Sequence, residues 1–183
     1  MKTERHYIKT IGFIALMALL SSCASMQVDH SKTVAVPNND FMVVFPISNL
    51  TETPQADEKA TAIATNLLRI KGFSHVSAYP MKTLKPALIP GVKVPVKEAT
   101  LLAWARDQGA RYALSGSVNE WNYKVGMDGE PVVGINLELI NVDSGKHIWS
   151  SVGSESGGSR TAVSEVAIHL MQTMLGSIES RQV

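Results

Sequence analysis

The chain has 183 residues, 45% of them hydrophobic and 18% charged, enough for one domain with its own core. Its formal charge is +1, and without Lys2, Glu4, Arg5 and Lys9 of the first segment 14 basic and 15 acidic side chains remain, a net of −1. That balance excludes a nucleic-acid binder working through a basic surplus, and the single cysteine, Cys23, excludes a fold stapled by disulfides.

Lys2, Arg5 and Lys9 precede an apolar run from Ile11 to Leu20, too short to span a bilayer comfortably. Small residues follow, so 1–22 reads as a secretory signal peptide. Leu20-Ser21-Ser22-Cys23 has the form of a bacterial lipobox, in which the cysteine becomes the lipid-bearing first residue. The expected modification at Cys23 is a diacylglyceryl group and a further acyl chain, and several buried chains at about 0.8 kcal/mol per methylene would anchor the protein firmly. No aspartate stands beside Cys23, which favours the outer membrane of a two-membrane bacterium.

Met26–Asp40 is polar, and we read 23–40 as the lipidated N-terminus and a flexible tether; the competing reading is an edge strand. The domain proper is then 41–183. Phe41-Met42-Val43-Val44-Phe45-Pro46 predicts a strand buried on both faces. Thr53-Pro54 predicts an N-cap and first turn for a helix running to about Lys71, with Ile63, Leu67 and Ile70 as its apolar stripe, Ala60, Ala64 and Leu68 flanking it, and Gly72 as its stop. His75–Tyr79 is a second short strand, joined to the first by a right-handed parallel crossover.

Pro80–Pro95 carries four prolines and predicts a long connection, either lining an interface or making a surface excursion with a helical turn near Leu84. A second helix, Val96–Gln108, turns Leu101, Leu102 and Ala105 inward and ends at Gly109. Three strands follow between Arg111 and Ser156, joined by turns at Met127-Asp128-Gly129-Glu130 and Asp143-Ser144-Gly145-Lys146. Val133, Ile135, Leu137 and Leu139 share one strand face. Tyr112, Leu114 and Val118 are out of phase with Trp121, Tyr123 and Val125, which predicts a bulge near Asn119. After Gly157-Gly158, Ser159 is the expected N-cap of a last helix with Val163, Val166, Leu170, Met174 and Ile178 on its apolar stripe. The order predicts a single α/β domain: a mixed sheet with a C-terminal antiparallel meander and helices packed on it.

Catalytic sets are missing from this sequence. Its histidines show no metal-ligand spacing, no Gly-x-Ser-x-Gly elbow occurs, and the Gly153–Gly158 run lacks the ending of a phosphate loop. The chain therefore reads as a non-enzyme with no metal and no cofactor. Two residue sets stand out. Asp128 and Glu130 form an acidic hairpin tip, whose bland reading is a solvated turn. Trp104, Trp121, Tyr123 and Trp149 are candidates for a membrane or subunit interface, against core packing.

The lipobox, Phe41–Pro46 and Asn49-Leu50-Thr51-Glu52-Thr53-Pro54 together resemble the domain shared by TolB amino-terminal regions, CsgG and LpoB. Trp104–Lys124, Asp128-Gly129-Glu130-Pro131-Val132-Val133-Gly134 and Asp143–Ser150 resemble the PelC lipoproteins of Pel exopolysaccharide export. The likeness runs through nearly the whole mature chain. It implies a dodecameric ring beneath the outer membrane with an electronegative funnel, partnered by the barrel PelB and by a cationic polysaccharide. Carried onto this sequence, Asp128 and Glu130 would belong to that funnel. The PelC pattern has a tryptophan in a membrane-near loop before the Ser-Arg that opens the last helix; Gly158 stands there in this chain. The alternatives are an LpoB-like activator of a cell-wall synthase and a CsgG-like pore, the latter lacking any extra pair of long alternating strands.

Overall fold

A computed structural model describes residues 25–80, 96–125 and 129–182. Cys23, Asp128 and most of the proline-rich connection lie outside them.

Among the described residues the strands are β1 (Ser25–His30), β2 (Val34–Pro37), β3 (Met42–Val44), β4 (Ser48–Asn49), β5 (Val76–Ala78), β6 (Tyr112–Tyr123), β7 (Pro131–Asn141), β8 (Lys146–Ser156) and β9 (Ile178–Arg181). The helices are α1 (Ala56–Ile70), α2 (Glu98–Asp107) and α3 (Val163–Leu175). Seven strands make one mixed sheet in the order β1-β8-β7-β6-β3-β5, with β4 also on β6, while β2 and β9 pair in parallel as a separate ribbon. The expected mixed α/β fold is therefore present, meander included.

The buried β3 divides its side chains between two cores. Met42 and Val44 join the larger cluster under α1 and α3; Val43 and Phe45 join a smaller one under α2. Parallel pairing of β3 with both β5 and β6 explains why nearly every side chain there is apolar. The meander needs a different solution, because only one of its faces is covered along its full length. Val133, Ile135, Leu137 and Leu139 of β7 all point into the large core, as the period of two predicts. The β6–β7 register shifts between Val118 and Glu120, the bulge expected near Asn119. That extra residue returns Trp121 to the same face as Leu114 and Val118.

Both predicted glycine stops hold. Gly72 has φ 94°, and the amides of Gly72 and Phe73 bond the carbonyls of Arg69 and Leu68. Gly109 has φ 78°, and the amides of Gly109 and Ala110 bond Arg106 and Ala105 in the same way. Each closes the orphan carbonyls of a helix end at a residue without a Cβ penalty.

Four expectations are corrected. The tether is not free: β1 pairs antiparallel with β8 from Ser25↔Ser156 to His30↔Ser151, and β2 pairs with β9. Helix α1 begins at Ala56 after Gln55 at φ 61°, and Thr53 instead donates its hydroxyl to the Trp121 carbonyl. Of its expected stripe, Leu67 is buried with the flanking Ala60, Ala64 and Leu68, and Ile63 packs partly buried on the core; only Ile70 departs, at 77% exposed. The last helix is capped by Ala162 rather than Ser159 and ends at Leu175, so Ile178 enters the core from a strand.

Gly116 has no room for a side chain: a Cβ there would overlap the Asn136 carbonyl oxygen of the adjacent strand. Backbone cannot yield as a flexible side chain can. Gly116→Ala should therefore cost about 1–3 kcal/mol of unfolding free energy in urea titration. A loss below about 0.5 kcal/mol, ordinary for a surface change, would show that β6 and β7 separate freely there.

Candidate functional site

Alternation along four strands builds one uncovered surface. In β8 the odd positions Trp149, Ser151, Gly153 and Glu155 turn inward, so Ser150, Val152 and Ser154 turn out. The register then aligns outward rows across the sheet. Gln27 of β1, Ser154, Gly134 and Glu120 form one row; Asp29, Val152, Asn136 and Ser117 form the next; Ser150, Glu138 and Ser115 extend a third. Helix α2 packs on this side of the sheet only at its other end, over Val43, Ala113 and Ile140. The remainder faces solvent.

Two adjoining open troughs lie on this face. One, about 460 Å³, is lined by Gln27, Asp29, Asn119, Glu120, Asn122 and Ser154, with Gly134, Val152 and Gly153 as its floor. The other, about 310 Å³, is lined by Asp29, His30, Ser31, Asn136, Glu138 and Ser150, together with Leu137, Ser151 and Val152. Asp29, Glu120 and Glu138 bring three carboxylates to the surface, and neither lining contains a lysine or arginine. Amides and hydroxyls fill the space between them; Ser117 Oγ bonds Asn119 Oδ1 at 3.0 Å. This is a surface for polar, cation-bearing or hydroxyl-rich matter. No nucleophile paired with a base lines either trough.

His147 ties the acidic face to its neighbour. Its Nδ1 lies 2.9 Å from Glu138 Oε2, and its Nε2 lies 3.8 Å from Glu98 Oε1 on α2. On the opposite, helix-covered face, His169 Nδ1 of α3 lies 2.8 Å from the buried Glu155 of β8. Neither partnership shows in the sequence, because strand register or helix packing creates each one.

The residues singled out from sequence are dispersed. Glu130 closes the β6–β7 hairpin, where the Lys124 amide bonds its carbonyl at 2.7 Å and Lys124 Nζ lies 3.6 Å from its carboxylate. It therefore has a lysine beside it, whereas among the trough carboxylates Glu138 has His147 as its neighbour. Of the four aromatics, Trp121 and Trp149 are 1% and 2% exposed and belong to the core, so for these two the core-packing reading stands in place of the interface one. Each such ring buries roughly 150–250 Å², about 4–6 kcal/mol of transfer free energy. Trp149 also donates Nε1–H to Ser177 Oγ at 2.9 Å. Trp104 is half-buried and meets Tyr79 edge-on, with ring centroids 4.8 Å apart. Tyr123 alone is largely open, at 52%.

The family model of the peptidoglycan-synthase activator LpoB matches residues 17–154. A PelC dodecamer from Paraburkholderia phytofirmans is 40% identical, with TM-score 0.74, covering 86% of this chain and 100% of that one. The chain is a PelC-like member of the LpoB family. A second crystal form of that protein, a leucine-to-methionine variant and also a dodecamer, matches at 39% identity and TM-score 0.73 over the same shares. Lipoprotein GNA1162 from Neisseria meningitidis shares the fold, with TM-score 0.52 at 18% identity over 75% of this chain and 96% of that one. No curated protein matches.

Asp29 is exposed and Glu120 and Glu138 are partly so, and the one ion pair among them is a surface pair, a type contributing about 0–1 kcal/mol. The triple variant Asp29→Asn/Glu120→Gln/Glu138→Gln should keep its unfolding free energy within about 1 kcal/mol of the parent in urea. A greater loss would make these side chains supports of the fold.

Proposed function

We propose that this protein is a non-enzymatic lipoprotein of exopolysaccharide export. Anchored through acylated Cys23 at the periplasmic face of the outer membrane, copies assemble into a ring. The ring offers repeated negative charge to a cationic amino-sugar polymer passing toward an outer-membrane barrel of the PelB kind. Two facts support the reading: 40% identity over the full length of a dodecameric PelC, and the open sheet face carrying Asp29, Glu120 and Glu138 with no lysine or arginine lining its troughs. The second carries the mechanism. Carboxylates spread over a surface attract a cationic chain at many points and fix it at none, and repetition around a lumen focuses the field. Asp128 and Glu130 belong to the proposal as a second acidic set, weakened by the Lys124 partner of Glu130.

The alternative, activation of a cell-wall synthase, is favoured by the name of the matching family model. Against it stands β1, which begins two residues after Cys23 and leaves no free span between anchor and domain. An activator that must reach a synthase across the periplasm needs such a span.

The two readings part in one experiment. In the native host, the Asp29→Asn/Glu120→Gln/Glu138→Gln variant should lower exported amino-sugar polymer by about tenfold or more, the lower range of electrostatic focusing. Asp128→Asn/Glu130→Gln should act less. Chitosan oligomers should bind the purified lipidated protein, whose native mass should be that of several copies, and release as salt shortens the screening length. Normal export by the triple variant, with its assembly intact, would overturn the guiding role of this face. A solitary protein that stimulates peptidoglycan synthesis would favour the alternative.

A further inference from the structure

We infer that the free edge of β1 takes up an extended segment of a different protein as an added strand, one that carries lysine or arginine at alternate positions. The inference goes beyond polymer guidance and does not depend on it. Strand β1 is six residues long and ends the seven-stranded sheet, with β8 on one side only. The hydrogen-bond phase tells which of its groups are left over. The Ser31 amide bonds the Ser150 carbonyl, and across β8 the Gly157 amide bonds Pro131. Antiparallel partners alternate between bonded and non-bonded pairs, so Ser25, Gln27 and Asp29 bond β8 at Ser156, Ser154 and Val152. Met26, Val28 and His30 therefore turn their amides and carbonyls outward. Among the described residues nothing receives these groups. They line an open edge about 20 Å long.

Sheets usually protect such an edge with a lysine, a proline, a bulge or a covering element. Strand β1 has no lysine and no proline, and its register with β8 runs without a shift. Strands β2, β5 and β9, which also have an open side among the described residues, have only three or four residues. None of them matches β1 in length, so a second copy would pair best through its own β1. That pairing sets Asp29 and the acidic troughs of both copies on one face, with no lysine or arginine in their linings. A cationic strand removes this conflict.

The side chains of β1 set what the added strand must carry. Gln27 and Asp29 face the acidic troughs, so the new residues on that side meet amide and carboxylate. Met26 and Val28 turn to the helix-covered side. Val28 packs on the large core, while Met26 is 43% exposed, one of the large hydrophobic side chains left open. An added strand would cover it. The matching segment therefore alternates cationic or hydroxyl-bearing residues with apolar ones, main-chain bonds giving affinity and alternate side chains giving choice.

The test uses the full lipidated protein in detergent and a fluorescent synthetic peptide, Thr-Val-Lys-Val-Lys-Val-Thr, with a version carrying glutamate for lysine as control. Anisotropy reads binding, and amide hydrogen exchange reads its place. The lysine peptide should bind and slow exchange at Met26, Val28 and His30, while Gln27 and Asp29 are slow from the start. Val28→Pro removes one outward amide and leaves the bonds to β8 in place, and it should weaken binding by about tenfold. Asp29→Lys leaves the backbone untouched and should turn the preference to the glutamate peptide. Three results overturn the inference. The first is a lysine peptide that does not bind. The second is binding that survives Val28→Pro and slows none of the outward amides, which assigns the peptide to the acidic troughs. The third is outward amides already slow in the peptide-free protein at a native mass of several copies, which gives the edge to a second copy.

Discussion

A sheet has two faces, and this chain covers one of them fully. Helices α1 and α3 bury the inward side chains of the long strands, while α2 covers the outer face only near β3 and Ile140. Strands β6, β7 and β8 must therefore be apolar on one side and water-compatible on the other, and their sequences alternate accordingly. The bulge at Asn119 belongs to the same constraint. In an unbulged strand of the same sequence, Trp121 would turn its ring into water and Glu120 would turn into the core. The polar outer face is the uncovered remainder of the core's construction, and the carboxylates it displays cost little because they were never buried.

Elements whose identity is written locally were legible. Gly72 and Gly109 stop their helices where they stand because a left-handed residue is needed there. The Asp143–Gly145 turn and the bulge of the meander follow from glycine placement and a period of two. The misses share a different cause. Strand β1 reads Ser-Met-Gln-Val-Asp-His, polar because one face meets water and one edge has no partner; what makes it a strand is the backbone ladder to β8, over a hundred residues away. Ile178 continues the spacing of Met174, yet Trp149 needs a partner at Ser177, and β2 binds the chain beyond it. Helical period alone cannot distinguish another turn of helix from a strand that re-enters the same core.

The acidic face illustrates the same limit on function. Asp29, Glu120 and Glu138 are scattered in sequence and adjacent only through strand register. Asp128 and Glu130 caught attention by being neighbours on a turn, the arrangement most often left to solvent and, for Glu130, the one beside a lysine. Proximity in the chain is a poor guide to a surface made by a sheet. The comparison with PelC covers what the residues alone could not show, because identity over the whole fold carries register with it.

On the proposed reading, strength would be a defect. An exposed carboxylate contributes at most about 1 kcal/mol to a single ion pair, so three of them hold a polymer unit weakly and release it quickly. A polymer in transit needs that: each unit must leave as easily as it arrives, while the whole chain stays near the surface. Buried pairs would bind more selectively but would hold the chain at fixed points. Such a surface requires strands that are rigid behind and wet in front. That is the division that the helices impose on this sheet.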